Sequence, residues 1–174
     1  RIEQYTEMVL CYFRLDGHSS DFVLKKCRLD DIIRKAVRKY APLFIQKKVR
    51  FSYEGTDCIV LTDEKWLLFI LEQLLSNALK YTAAGQITIS VDPDTKILSV
   101  SDTGIGIAPE DLPRIFERGF TGYNGHENMH STGIGLYLCR KTADKLHHRI
   151  WVESEPGVGS RFYLELASRK LTVE

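Results

Sequence analysis

The chain has 174 residues, enough for one domain with a real core plus a further element, and too few for two full domains. Its composition, 44% hydrophobic and 27% charged, is that of a globular protein, and a net charge of +1 gives no field for gripping nucleic acid or anionic lipid. The longest apolar run, "WLLFIL" from Trp66 to Leu71, is far too short to span a bilayer. Cys11, Cys27, Cys58 and Cys139 are irregularly spaced with no CxxC pair, so they suggest neither a zinc site nor a disulfide framework, and a reducing setting is expected. The first residue is not methionine, so the chain reads as part of something longer.

At the N-terminus, Ile2, Tyr5, Val9 and Tyr12 recur three and four apart, the seam of a helix that packs on another helix. "DGHSSD", Asp16 to Asp21, reads as a linker, and the globular part follows it. A helix is expected from Asp30 as N-cap, with Ile33, Ala36, Val37, Tyr40 and Phe44 on its core face. Two extended pieces, "VRFSYE" and "CIVLT", then lead to Asp63, which suits the cap of a long helix running to about Tyr81. "QITISV" alternates strictly and "KILSVSD" follows across the turn "DPDT". "RIWVES" and "RFYLEL" flank "EPGVGS", so two antiparallel hairpins are expected. Between them a short helix is expected from Pro109 to Phe116 and a longer one over "GIGLYLCRKTADKL", with Leu136, Cys139, Ala143 and Leu146 on one face. Helices and antiparallel strands in separate runs argue for an α+β two-layer sandwich, a mostly antiparallel sheet covered by helices.

Three features carry chemistry. In "LEQLLSNALKYT" the leucine-rich helix places Gln73, Asn77 and Lys80 roughly one turn apart along one side. An amide oxygen suits Mg²⁺ and an ammonium suits phosphate, although such a stripe also serves simply to meet solvent or cap a neighbour. In "SVSDTGIGI", Asp102 shares a face with Leu98 and Val100, where a carboxylate is costly unless something donates to it. An exocyclic amino group such as that of adenine is one such donor, and local amides of a tight turn are another. Gly104 and Gly106 allow a sharp turn and close approach of a flat ring. In "STGIGLYL" a glycine pair opens a helix, whose free amides at Thr132 to Gly135 favour anions. There is no parallel βαβ unit around it and no GxxxxGK[ST], which disfavours both common phosphate-loop folds. The segment from Ala108 to Ser131, with Arg114, Phe116, Arg118 and Phe120, reads as a lid or as a plain surface loop.

The order of these blocks, Asn on a helix, Asp-x-Gly-x-Gly after a strand, a lid, Gly-x-Gly at a helix and then "EPGVGS", resembles the Bergerat-type ATP-binding fold shared by sensor histidine kinases, type II topoisomerases, mismatch-repair ATPases and a heat-shock chaperone. The resemblance covers roughly residues 28 to 168. "LLSNALKYT", "DTGIGI", "IFERGF" and "GIGL" look like the motif boxes of bacterial histidine kinases, and "YTEMVLCYFRL" with "STGIGLYL" is similar to the group that senses envelope stress and antimicrobial peptides in Gram-positive bacteria. The resemblance implies residues 1–20 as the end of a dimerisation helix with its linker, and 21–174 as a catalytic domain that binds ATP and Mg²⁺. It makes Asn77, with Gln73, the Mg²⁺ ligands, puts Lys80 and Tyr81 near phosphate or ribose, and gives Asp102 the adenine amino group. Gly104, Gly106, Ile107, Arg118, Phe120, Thr132, Gly133, Ile134, Gly135 and Leu136 would complete the nucleotide pocket.

The resemblance further implies a cytoplasmic domain of a membrane-bound homodimeric sensor, working with an upstream phosphoacceptor domain and a response regulator, with no nucleic acid involved. None of His18, His126, His130, His147 or His148 has the context of the family's acceptor histidine, so the acceptor is expected upstream. Gln73 stands where ATPase relatives have a glutamate that activates water, and a glutamine cannot accept that proton. That favours kinase over hydrolase. The alternatives are an ATPase of the same superfamily and a nucleotide-binding regulatory module that transfers no phosphate.

Overall fold

The computed structural model describes residues 6, 10, 13–15, 22–121 and 133–166. The expected helix seam of Ile2, Tyr5, Val9 and Tyr12, the linker from Asp16 to Asp21, and Thr132 of the expected pocket lie outside them. In chain order the elements are β1 (Lys25–Arg28), α1 (Leu29–Lys47), β2 (Arg50–Ser52), β3 (Ile59–Thr62), α2 (Glu64–Tyr81), β4 (Gln86–Val91) and β5 (Ile97–Asp102). A 3₁₀ turn (Leu112–Arg114), α3 (Gly135–Lys145), β6 (Arg149–Glu155) and β7 (Gly159–Glu165) follow.

Five strands form one sheet in the order β2-β4-β5-β7-β6. All its pairings are antiparallel except β2 with β4, so the sheet is mixed. Alternation sends Ile87, Ile89, Leu98, Val100, Phe162 and Leu164 to the buried face, where the helices cover them. Helix α2 forms the centre of that layer. Its buried residues, Trp66, Leu67, Ile70, Leu71, Leu74, Leu75, Ala78 and Leu79, repeat as adjacent pairs every four positions, which makes an apolar stripe wide enough to meet the sheet and both neighbouring helices. Asp63 caps it: Oδ1 accepts the backbone N–H groups of Lys65 and Trp66 at 3.0 and 3.2 Å. Helix α1 runs beside α2 in the same direction, with Lys35 bonded to Glu64, Lys39 to Glu72 at 2.5 Å, and Lys47 Nζ to the carbonyl of Leu79.

The architecture is the expected two-layer α+β sandwich, with three local differences. Strand β1 was not expected; it pairs antiparallel with β3 as a separate two-stranded ribbon, Cys27 opposite Val60 on the buried side. Helix α1 begins at Leu29 with no side-chain cap, and Asp30 instead accepts from Arg34, from Tyr53 Oη at 2.7 Å and from Thr56 N. Between Pro109 and Phe116 only the 3₁₀ turn forms. Pro113 lacks an N–H and disfavours the α conformation at the residue before it, so a full helix cannot propagate through Leu112.

His148, just past α3, is buried and shares a 2.9 Å hydrogen bond through Nε2 with Thr62 Oγ1 at the end of β3. Burial first, and the neighbouring His147 second, push its pKa down from 6.5 to about 4. An unfolded histidine takes up its proton near pH 6.5, so between that value and 4 the unfolded state binds more protons than the folded one. Stability should therefore fall as pH drops from 6.5 towards 4, by about 3 kcal/mol over the whole window. Urea unfolding followed at pH 7 and pH 5 reads this directly, and His148→Gln should remove most of the difference.

Candidate functional site

The polar edge of α2 is what its packing leaves over. Gln73, Asn77 and Lys80 are half-buried on the side that faces neither the sheet nor α1, and Lys80 Nζ lies 5.1 Å from the centre of the Tyr81 ring. The helix ends at Tyr81, and the chain returns through β4 and β5 so that the loop after Asp102 crosses directly over that end. The N–H of Ile105 donates to Tyr81 O at 3.2 Å. A side chain at position 104 would overlap the same carbonyl, so only glycine lets β5 leave the sheet this close to α2.

Asp102 closes β5, facing Ile87 on β4 and Ser160 on β7 across the sheet. Its Oδ1 accepts the Gly104 N–H at 2.9 Å. Burial raises the carboxyl's pKa, and the backbone amides of Gly104 and Ser160 only partly oppose that. The tight-turn reading of Asp102 is met here, since Oδ1 ties down the turn, and the carboxylate is half-buried.

The hairpin tip "EPGVGS" packs on the same loop. The N–H of Gly157 donates to Ile105 O at 2.8 Å and the N–H of Ile107 donates to Ser154 Oγ at 2.8 Å. Gly106 has φ of +72°, and a Cβ there would strike the carbonyl of Glu155. Ser154 was not foreseen as part of this arrangement, because a hydroxyl in a strand carries no pattern of its own.

The far wall is the start of α3 and the described ends of the lid. Gly119 N–H donates to Gly133 O at 2.9 Å, which closes the lid's two ends on each other. A Cβ on Gly135 would sit 2.9 Å from Gln73 Oε1, so the first residue of α3 lies against the polar stripe of α2. Among the described residues no side chain caps α3, and the amides of a helix start favour an anion. Phe116 meets Phe162 edge to face at 6.4 Å with the Arg140 guanidinium 4.8 Å from its ring, which fastens the lid's entry to the sheet and α3. Arg114 lies 4.6 Å from the Phe120 ring and pairs with Glu117 at 3.2 Å. Arg118 is exposed, and Ile107, Phe120, Ile134 and Leu136 are each half-buried around the same opening.

The structure thus gathers Gln73, Asn77, Lys80, Tyr81, Asp102, Gly104, Gly106, Gly133 and Gly135 from three separate stretches of chain. It offers amide oxygens, a half-buried acceptor, glycine backbone without side chains, and a helix start. This donor set fits a purine nucleotide with its phosphates and a hard cation. Among the described residues there is no cluster of three or more His, Cys, Asp or Glu side chains that could hold a metal by itself.

Comparison with known proteins agrees with the geometry. The model of the histidine kinase-, DNA gyrase B- and HSP90-like ATPase family matches residues 62–170. Sensor protein BceS of Bacillus subtilis is 39% identical over 171 residues, 97% of this chain and 51% of BceS. Sensor histidine kinase YxdK of the same organism is 35% identical over 165 residues, 92% of this chain and 51% of YxdK. The chain therefore spans about half the length of these relatives. Among solved structures, full-length ShkA in complex with AMPPNP superposes with a TM-score of 0.73 at 27% identity, covering 92% of this chain and 34% of ShkA. The catalytic domain of histidine kinase ThkA gives 0.72 at 26% identity, covering 83% of this chain and 95% of that domain.

Gly104→Ala should force the loop off Tyr81 O, at a cost of about 1–3 kcal/mol. Thermal unfolding should show a fall in Tm of several degrees.

Proposed function

Since the chain belongs to the histidine kinase-, DNA gyrase B- and HSP90-like ATPase family, we propose that it is the ATP-binding catalytic domain of a sensor histidine kinase. On this reading residues 21–174 bind ATP and deliver its γ-phosphate to a histidine on an upstream dimerisation domain, for relay to a response regulator. Residues 1–20 then form the end of the second helix of that dimerisation domain together with its linker, and the whole protein is a homodimeric membrane sensor whose catalytic part faces the cytoplasm. The similarity to BceS and YxdK supports membership in the envelope-stress and antimicrobial-peptide group. No helix among the described residues is long and apolar enough to cross a membrane.

The observation that carries the reading is Asp102, a half-buried carboxylate raised in pKa by burial, beside glycines whose backbone packs against Tyr81 and Glu155. It suits the exocyclic amino group of adenine as donor. Gly104 and Gly106 keep the wall flat, and Ile107 and Leu136 give the ring apolar neighbours. Lys80 and Tyr81 lie where α2 ends, near the ribose and phosphates, and the amides at the start of α3, from Thr132 to Gly135, cradle phosphate oxygens with Arg118 and Phe120 of the lid. The Asn77 amide oxygen, with Gln73 beside it, suits Mg²⁺, which when bound supplies charge neutralisation to the phosphates.

Phosphoryl transfer asks the protein mainly for positioning and electrostatic stabilisation. Lys80 and Arg118 supply positive charge to the phosphates, while Gln73 orients without accepting a proton. Water is therefore not activated at position 73, and the incoming histidine nitrogen is the better nucleophile.

Mixing the chain with a separately made dimerisation hairpin and γ-labelled ATP should place acid-labile label on the hairpin's histidine. ATP binding without any label would favour a regulatory module, and free labelled phosphate would favour an ATPase. In calorimetry Asp102→Asn should weaken ATP binding by more than about tenfold, and unchanged affinity would remove the adenine assignment. Asn77→Ala should abolish the magnesium dependence of that affinity; a mutant that keeps it holds the metal elsewhere.

A further inference from the structure

A groove of about 410 Å³ lies between β1 and α1, at the opposite end of the helices from the proposed nucleotide site. Its lining holds six cationic side chains, Lys25, Lys26, Arg28, Arg34, Lys35 and Arg38, against two acidic ones, Asp31 and Glu64. The acids are already engaged: Glu64 takes Lys25 and Lys35, and Asp31 lies 3.7 Å from Arg28. Arg34 is held by Asp30 at 2.6 Å. Lys26 and Arg38, both exposed, have no such partner among the described residues. The chain as a whole carries only +1, so this is a local concentration of charge, not a general basic surface.

The backbone specifies what could enter. Successive strand side chains point to opposite faces, so a groove touched by Lys25, Lys26, Cys27 and Arg28 runs along the edge of β1. No residue of β3 lines it, so this is the edge away from β3, and among the described residues β3 is the only partner β1 has. Such an edge presents both N–H donors and C=O acceptors. A phosphate can satisfy only the donors, whereas an extended peptide backbone satisfies both at the spacing of the strand. On the opposite wall Asp31, Arg34, Lys35 and Arg38 follow helical three- and four-residue spacing along one stripe of α1, parallel to the groove.

We propose that this groove binds an extended acidic peptide segment of a partner protein, which pairs with the free edge of β1 while its carboxylates meet Lys26 and Arg38. The site is independent of the nucleotide assignment. From Glu64 to Lys80 helix α2 rises roughly 24 Å, so a bound segment leaves the proposed ATP pocket clear.

A fluorescein-labelled octapeptide of alternating glutamate and valine tests this by anisotropy against the chain. Binding should be measurable below about 100 μM at 50 mM salt and should weaken roughly tenfold at 300 mM. The double variant Lys26→Glu, Arg38→Glu should lose it by more than about tenfold, with ATP affinity and Tm unchanged. N-methylation of alternate peptide amides should also abolish binding; an N-methylated peptide that binds equally well would overturn the strand-pairing role. Absent binding, or binding indifferent to the double variant, would overturn the site. So would charge-dependent binding of single-stranded DNA or anionic phosphatidylserine vesicles at Lys26 and Arg38 when the peptide does not bind.

Discussion

The carboxylate of Asp63 fixes where helix α2 starts, and the proposed site depends on where that helix stops. One oxygen caps the first turn, a bond of the kind worth about 1 kcal/mol, and the other accepts the N–H of Val23 at 2.8 Å. Around it Phe22 stacks on Trp66 at 5.0 Å, and Lys145 at the end of α3 reaches both the Phe22 ring and the carbonyl of Leu15. The start of α2, the end of α3 and the chain entering from the N-terminal side are thus fastened at one point. With its beginning pinned and its apolar stripe buried, α2 has no freedom to rotate. Its remaining polar edge must open where α3 begins and β5 ends.

What is built there is mostly backbone. The loop after Asp102 rests on the carbonyl of Tyr81, the hairpin tip rests on that loop, and the lid's ends close on each other through Gly119 and Gly133. Backbone surfaces approach this closely only where Cβ atoms are missing, which is why glycines cluster at the site and not along the sheet. The consequence is a rigid wall with few side chains to relax. Specificity is then left to a few groups, chiefly Asp102, whose carboxyl is raised in pKa because little solvent reaches it.

Much of this was legible because it is periodic or punctuated. The strict alternation of β4, the paired leucines of α2 and the cap at Asp63 state their structure locally, and the glycine spacings after β5 and before α3 mark the site. Strand β1 was not legible: "KKCR" has no β-branched residue, and it is extended because β3 supplies a partner, a tertiary effect that overrides weak propensity. The parallel pairing of β2 with β4 joins residues far apart in sequence and leaves no local mark. Within the site, Asn77 and Asp102 could be picked out, but the contact of Gln73 with Gly135 and the bond from Ile107 to Ser154 depend on how three elements meet. At Pro113 the sequence did contain the answer, since the proline's effect on Leu112 outweighs the good helix start at Pro109.

The parallel course of α1 and α2 sets the proposed nucleotide site and the cationic groove at opposite ends of the helix pair. Their contacts are spaced along the whole length, from Lys35 with Glu64 through Lys39 with Glu72 to Lys47 with Leu79, so the pair behaves as one rigid body. The N-terminal entry and the cationic groove lie at one end, and the polar edge of α2 lies at the other. A change imposed at the entry cannot deform the far pocket without sliding these packed helices, which dense packing resists. On the proposed reading, in which the acceptor histidine lies on another domain, the site is therefore already formed when that histidine arrives.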